Sequence, residues 1–196
     1  MNLPNKLTLL RILLVPLFLL FITVKDIPYG TFIATFIFII ASITDQLDGH
    51  IARSRNQITT FGKFMDPLAD KLLVTSALIA LVELKIIAGW AAVIIIAREF
   101  AVSGLRTIAA AEGKVIAASM WGKVKTVTQI IAIIISLLRV NIESSETLLT
   151  YFSNSNFMMN MISFLPKITM LLAIIITIIS GVDYFAKNKK VIDTNK

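Results

Sequence analysis

Long apolar runs alternate with short polar connections along the whole chain. They can be drawn at about Leu9 to Val24, Tyr29 to Thr44, Leu68 to Leu84, Ile86 to Val102, Val124 to Leu138 and Ile162 to Phe185. A helix that crosses a bilayer needs about 20 mainly apolar residues, so the pattern predicts an all-α protein, an integral membrane bundle of six transmembrane helices. The connections Lys25 to Pro28 and Glu83 to Lys85 suit tight helical hairpins, and the Ser/Asn-rich stretch Asn141 to Asn160 predicts a loop on the far side. Arg11 interrupts the first run and no A-x-A-like site precedes Lys25, so this run is expected to stay as a helix and not to be removed as a signal peptide. Six spans take roughly 120 of the 196 residues and leave no room for a second domain. Residues 1–196 are read as one membrane domain, with a juxtamembrane segment at 1–8 and a polar tail at 186–196.

Charge sets the orientation. Lys and Arg number 19 against 12 Asp and Glu, a net +7. With the N-terminus in the cytoplasm, 15 of the 19 basic residues fall on the cytoplasmic side, and only Lys25, Lys85, Arg139 and Lys167 fall outside. That asymmetry predicts both termini inside a multi-pass protein of the cell membrane. The basic excess then reports topology and membrane lipids with anionic headgroups; no basic, aromatic-interleaved soluble segment exists to bind nucleic acid. The mean hydropathy of +0.84 excludes an ordinary soluble globule. With no cysteine, disulfides, thiolate zinc sites and cysteine nucleophiles are excluded, and any metal must be held by oxygen or by His50.

Four carboxylates stand where lipid should exclude them. Asp45, Asp48, Asp66 and Asp70 lie at the ends of the second and third runs, where a lone carboxylate at bilayer depth costs about 3 kcal/mol. Asp45 and Asp48 are three residues apart, and Asp66 and Asp70 four apart, so on helices each pair shares a face. A short turn around Arg55 to Thr60 can bring the faces together into one acidic cluster. Oxygen-only ligation selects hard cations such as Mg²⁺, Mn²⁺ or Ca²⁺, and two of them would cancel about four negative charges. The alternative is ion pairing with Arg53, Arg55 and Lys63 at the helix ends. Four acids at helical spacing favour metal, as do Gly49 and Ala52, which leave a strip without bulky side chains beside Asp48. His50 points in another direction on the helix and is read as a bystander.

Written out, the segment is D-Q-L-D-G-H-I-A-R, eight residues, then G-K-F-M-D-P-L-A-D. It resembles the signature of the CDP-alcohol phosphotransferase family, D-x-x-D-G-x-x-A-R-x8-G-x-x-x-D-x-x-x-D, at all eight defining positions. The N-terminal N-L-P-N-K-L-T-L-L-R, the A-R-E-F around Arg98 and the M-W-G-K-V-K around Lys123 are similar to a bacterial branch of that family whose acceptor is glycerol 3-phosphate. The resemblance implies six transmembrane helices, a homodimer, and transfer of the phosphatidyl group of CDP-diacylglycerol to sn-glycerol 3-phosphate with release of CMP. It also implies two divalent cations, Mg²⁺ or Mn²⁺, facing the cytoplasm. Asp45, Asp48 and Asp66 would hold one ion, Asp66 and Asp70 would contribute to the second, and Asp70 would also be the general base. Thr8, Arg11, Gly49, Arg53 and Thr59 match positions that contact the CDP-lipid.

A small dianionic acceptor needs fixed cations apart from those on the pyrophosphate, and the candidates are Arg98, Arg106, Lys123 and Lys125. Arg98 lies in the apolar stretch I-I-I-A-R beside Glu99, and an arginine at that depth marks a site more often than it decorates a surface. Its alternative is an internal pair with Glu99 or an aspartate. For the other three the alternative is topology alone. Trp90 and Trp121 are expected to anchor the interfaces, and Met158 and Met159 to pack or face lipid. Other acceptors in the same family (inositol phosphate, serine or phosphatidylglycerol) and, from another class, a divalent-cation transporter are the competing readings. Transport needs polar residues through both membrane halves, and the outer halves of the runs have few.

Overall fold

A computed structural model describes the backbone at residues 3–54, 60–111, 113–114, 116–117 and 119–189, and side chains within these except at 3–5, 45–54, 60–64 and 66–67. The described residues form seven helices and no strand: α1 (Leu3–Thr23), α2 (Gly30–Ser54), α3 (Thr60–Glu83), α4 (Gly89–Ala111), α5 (Met120–Ser144), α6 (Glu146–Ser153) and α7 (Asn156–Lys187). Three of them, α1, α5 and α7, are long and apolar enough to cross a membrane, and α2 has a shorter apolar stretch at Gly30–Thr44.

Each of the six predicted runs lies along one long helix, but the helices outrun the apolar sequence. α1 and α3 begin before their runs, while α2 and α4 continue beyond theirs, all four toward the end predicted to be cytoplasmic. Hydropathy marks only what lipid covers, whereas a helix satisfies its own backbone and can carry on into polar sequence. Residues 3–8 accordingly are the first turns of α1. Likewise α7 runs through Lys187, into the stretch predicted to be tail, and residues 190–196 lie outside the described residues.

The loop expected at Asn141 to Asn160 is helical instead. Asn141 is buried in α5 and its Nδ2 donates to Thr35 Oγ1 of α2 at 3.0 Å. Ser145 ends α5 and opens α6, its hydroxyl accepting from Leu148 N at 3.4 Å. The Ser and Asn residues that signal a loop in sequence serve here as a cap and an interhelical bond.

α1 packs on α2 and α3, and α7 packs on α5 and α4. The shared interior mixes aromatic and branched residues with small ones: Phe18, Phe38, Leu78, Ile95 and Ile133 beside Ala34, Ala77, Ala132 and Ala173. Small residues let helix backbones approach, which suits association in lipid. The exterior is equally apolar, with Leu13, Phe36, Val93, Phe100, Val127 and Val182 exposed, a surface that lipid and not water would cover. Trp90 and Trp121 are exposed too, each next to the N-terminus of its helix.

Two hairpin turns need left-handed backbone without glycine, at Tyr29 and Lys85, both with φ 59°. Lys85 closes α3 as a helix C-cap, with Ile86 N–H bonded to Leu81 O at 2.9 Å and Lys85 N–H to Val82 O at 3.0 Å. Gly30 opens α2 where a Cβ would stand 2.7 Å from the Phe21 carbonyl oxygen, so only glycine fits that approach of α1 to α2.

Candidate active site

The aspartates sit on continuous helix: Asp45 and Asp48 in the last part of α2, Asp66 and Asp70 in the first part of α3. The side chains of Asp45, Asp48, Asp66 and Arg53, and Thr59 altogether, lie outside the described residues, as do those of His50 and Lys63 and the surroundings of Gly49. Asp70 is described and half-buried. With Lys71 and Thr75 of α3, Glu99 of α4, and Lys125, Thr126 and Gln129 of α5, it lines a narrow cleft of about 40 Å³. The charges of Lys125, Arg11 and Lys71 all act on Asp70. Thr8 and Arg11, one turn apart on α1, are both buried.

Two of the four proposed acceptor cations, Lys125 and Arg98, meet at Glu99 on the wall of this cleft. Lys125 is 2% exposed and ion-paired with Glu99 Oε1. Arg98 reaches the same carboxylate oxygen only at 3.8 Å. Its firmer contact is across the bundle, where Nη2 donates to Ser180 Oγ of α7 at 2.6 Å. The internal pair envisaged for Arg98 thus belongs chiefly to Lys125, which sits one turn into α5 and arrives over Glu99. Arg98 Nε is buried with no hydrogen-bond partner among the described residues, so the guanidinium keeps a free donor. Arg106, two turns further along α4, donates through Nε to Tyr184 Oη at 2.9 Å and lies 5.4 Å from the centre of that ring. Lys123 is exposed near the start of α5.

Residues 1–179 match the CDP-alcohol phosphatidyltransferase family. The chain is also 41% identical to the CDP-diacylglycerol–glycerol-3-phosphate 3-phosphatidyltransferase of Bacillus subtilis, over 99% of this chain and 98% of that one. It is 36% identical to the enzyme of the same name from Rickettsia bellii, over 96% of each chain. With a probable phosphatidylglycerophosphate synthase of Mycobacterium tuberculosis it shares 38% identity, over 95% of this chain and 81% of the other. The chain belongs to the CDP-alcohol phosphatidyltransferase family. It is a membrane-bound transferase of phospholipid biosynthesis.

As a CDP-alcohol phosphatidyltransferase, the chain has a donor set that suits a hard cation: four carboxylates, three and four residues apart on helical backbone, with no thiol to compete. The described side chains hold no group of three or more metal-binding residues, and those of Asp45, Asp48 and Asp66 are not among them.

Sequence reasoning missed the α7 side of the site. Ser180 and Tyr184 are buried, four residues apart on one face, and they hold Arg98 and Arg106. Between them Gly181 leaves room for the Arg98 stem, since a Cβ there would stand 3.3 Å from Arg98 Cγ. Gln129, one turn beyond Lys125 on α5, was missed as well. The available signal was faint: single polar residues inside otherwise apolar runs, which in a membrane helix seldom face lipid.

Proposed function

We propose that this chain transfers the phosphatidyl group of CDP-diacylglycerol to sn-glycerol 3-phosphate, giving phosphatidylglycerophosphate and CMP at the cytoplasmic face of the cell membrane. The observation that carries the reading is the meeting of Lys125 and Arg98 at a single Glu99, with Glu99, Lys125 and Asp70 lining one cleft. With Arg106 two turns further along α4, these cations outnumber Glu99 and leave positive charge for a dianion once Asp70 is set against the metal ions, and Arg98 retains an unused donor. A phosphorylated acceptor fits this excess better than serine does, and the names of the relatives supply the choice of glycerol 3-phosphate.

In this reading the acceptor phosphate rests on Arg98, Arg106, Lys125 and the exposed Lys123, which sets its primary hydroxyl toward Asp70. The Asp70 carboxylate takes the hydroxyl proton as the oxygen attacks the phosphatidyl phosphorus. A new P–O bond forms, the bond from that phosphorus to the pyrophosphate bridging oxygen breaks, and CMP departs with the bridging oxygen. Thr8, Arg11, Gly49, Arg53 and Thr59 hold the CDP-lipid. Asp45, Asp48, Asp66 and Asp70 would hold two divalent cations, Mg²⁺ or Mn²⁺, whose chemistry is to neutralise pyrophosphate charge. Glu99 keeps Lys125 in place, and the apolar walls of Ile95, Ile96 and Ile130 limit water at the cleft. The same reading takes all six long helices as spans of one domain, with both termini cytoplasmic, in a homodimer.

The test is CMP release by purified protein given CDP-diacylglycerol and, in turn, glycerol 3-phosphate, inositol phosphate, serine and phosphatidylglycerol. Turnover with glycerol 3-phosphate alone is expected. Turnover with a different acceptor, and none with glycerol 3-phosphate, would overturn the acceptor assignment and leave the family unaffected.

A further inference from the structure

Gln129 is a polar residue with no role in the scheme above. It is 2% exposed, one helical turn from Lys125 on α5, and it lines the cleft that also holds Asp70. Its amide oxygen is buried without a hydrogen-bond partner among the described residues. Buried carbonyl groups are nearly always paired, and one left orphaned beside a cleft awaits a donor. Neighbouring Lys125 is already engaged with Glu99, and Thr126 bonds its own helix at Gly122 O, 3.1 Å. Lys71 and Thr75 of α3 also line the cleft but make no hydrogen bond to the Gln129 amide oxygen, and the other walls, Val74, Ile95, Ile96 and Ile130, are apolar.

We propose that Gln129 is a specificity residue for the acceptor, its amide oxygen accepting a hydrogen bond from the secondary hydroxyl of the phosphorylated triol. The inference rests on the reaction assigned above. Along glycerol 3-phosphate the secondary hydroxyl stands between the phosphate, placed on the cations, and the primary hydroxyl, placed at Asp70. Gln129 is on the wall that joins those two positions: residues four apart on a helix share a face, about 6 Å along the axis, so Lys125 and Gln129 serve neighbouring parts of one small molecule. A cleft of about 40 Å³ has room for a hydroxyl and its carbon, and the phosphate, assigned above to the cations, lies outside it. A site built to bond a hydroxyl discriminates against the analogue that lacks it, because the buried partner is then left unpaired.

The experiment compares sn-glycerol 3-phosphate with 3-hydroxypropyl phosphate, the same chain without the secondary hydroxyl. CMP release is followed with the unaltered protein, Gln129→Met and Gln129→Leu. The unaltered protein should favour the triol in kcat/KM by about tenfold. Either variant should bring the ratio of the two acceptors close to one, chiefly by losing the triol, with the KM for CDP-diacylglycerol unchanged. A merely structural glutamine would lower both acceptors together, and a ratio preserved in the variants overturns the proposal. Equal use of both acceptors by the unaltered protein overturns it without any variant, so a failure to fold cannot shelter it. If the unaltered protein releases no CMP with glycerol 3-phosphate, the reaction assignment itself has failed, which is a distinguishable result.

Discussion

At the scale of single residues, the site depends on how Arg98 and Arg106 are held from α7. Arg98 is anchored by one short bond to Ser180 and keeps a free Nε, so its substitution should remove binding to ligand more than it disturbs the bundle. Replacing Arg98 with Gln removes a charge-assisted hydrogen bond worth about 1.5–3 kcal/mol, which corresponds to roughly 10–150-fold in affinity. The expected outcome is a rise of that size in the glycerol 3-phosphate KM with the CDP-diacylglycerol KM nearly constant, measured on protein that elutes as a single species in detergent. A selective rise for the CDP-lipid would show the two anion sites to be exchanged. Tyr184→Phe is milder. It removes the hydroxyl that Arg106 bonds but keeps the ring beneath the guanidinium, and the acceptor KM should rise by about 2–10-fold. Asp70 and Arg98 could be singled out in the sequence because a charge in an apolar run is conspicuous. Ser180 and Tyr184 could not, because their partners are 82 and 78 residues away and neither residue type is rare in a membrane helix.

The helices and their junctions decide how closely those residues can be assembled. α1 and α2 meet at Gly30 with no space for a methyl group, the obstruction being the Phe21 backbone and not a side chain that could swing away. Gly30→Ala should therefore cost about 1–3 kcal/mol, seen as a lower thermal midpoint in detergent. An unchanged midpoint would mean that the hairpin can open at no cost. The same element scale explains where the sequence reading stopped short. Apolar runs located all six long helices, yet missed their extension at the end where α1, α2, α3 and α4 carry the charged residues. It misread Asn141 to Asn160 because capping and interhelical bonding use the same residue types as a loop.

For the whole molecule, charge balance and topology make the claims that can be checked most directly. Four carboxylates near one membrane face need about four positive charges, so excess chelator should abolish CMP release and Mg²⁺ or Mn²⁺ should restore it. Full turnover in chelator would sink the two-cation reading. The chain contains no cysteine, so single cysteines can be introduced one at a time and labelled with an impermeant thiol reagent on intact cells. Cysteine at Lys25, Lys85 or Tyr151 should react from outside, and cysteine at Lys114 or Lys187 only after the membrane is opened. Labelling of Lys114→Cys in intact cells would overturn the six-span orientation. The exposed apolar surface and the small-residue interior agree with a helical bundle set in lipid.

By itself the sequence determined the helical membrane class, the order of the long helices, and the spacing of the four aspartates. Each of these follows from local rules: apolar length against bilayer thickness, and three or four residues per turn against the face of a helix. Which basic residues gather was decided only by the tertiary structure. Nothing local distinguishes Lys125, buried on Glu99, from Lys123, exposed two residues earlier; the difference is the direction each faces once α5 packs on α7 and α3. The same holds for Ser180, Gly181 and Tyr184, whose roles exist only where α7 crosses α4. Contacts between residues far apart in the chain depend on packing angles and on which helix lies beside which, and no periodicity along one helix carries that information.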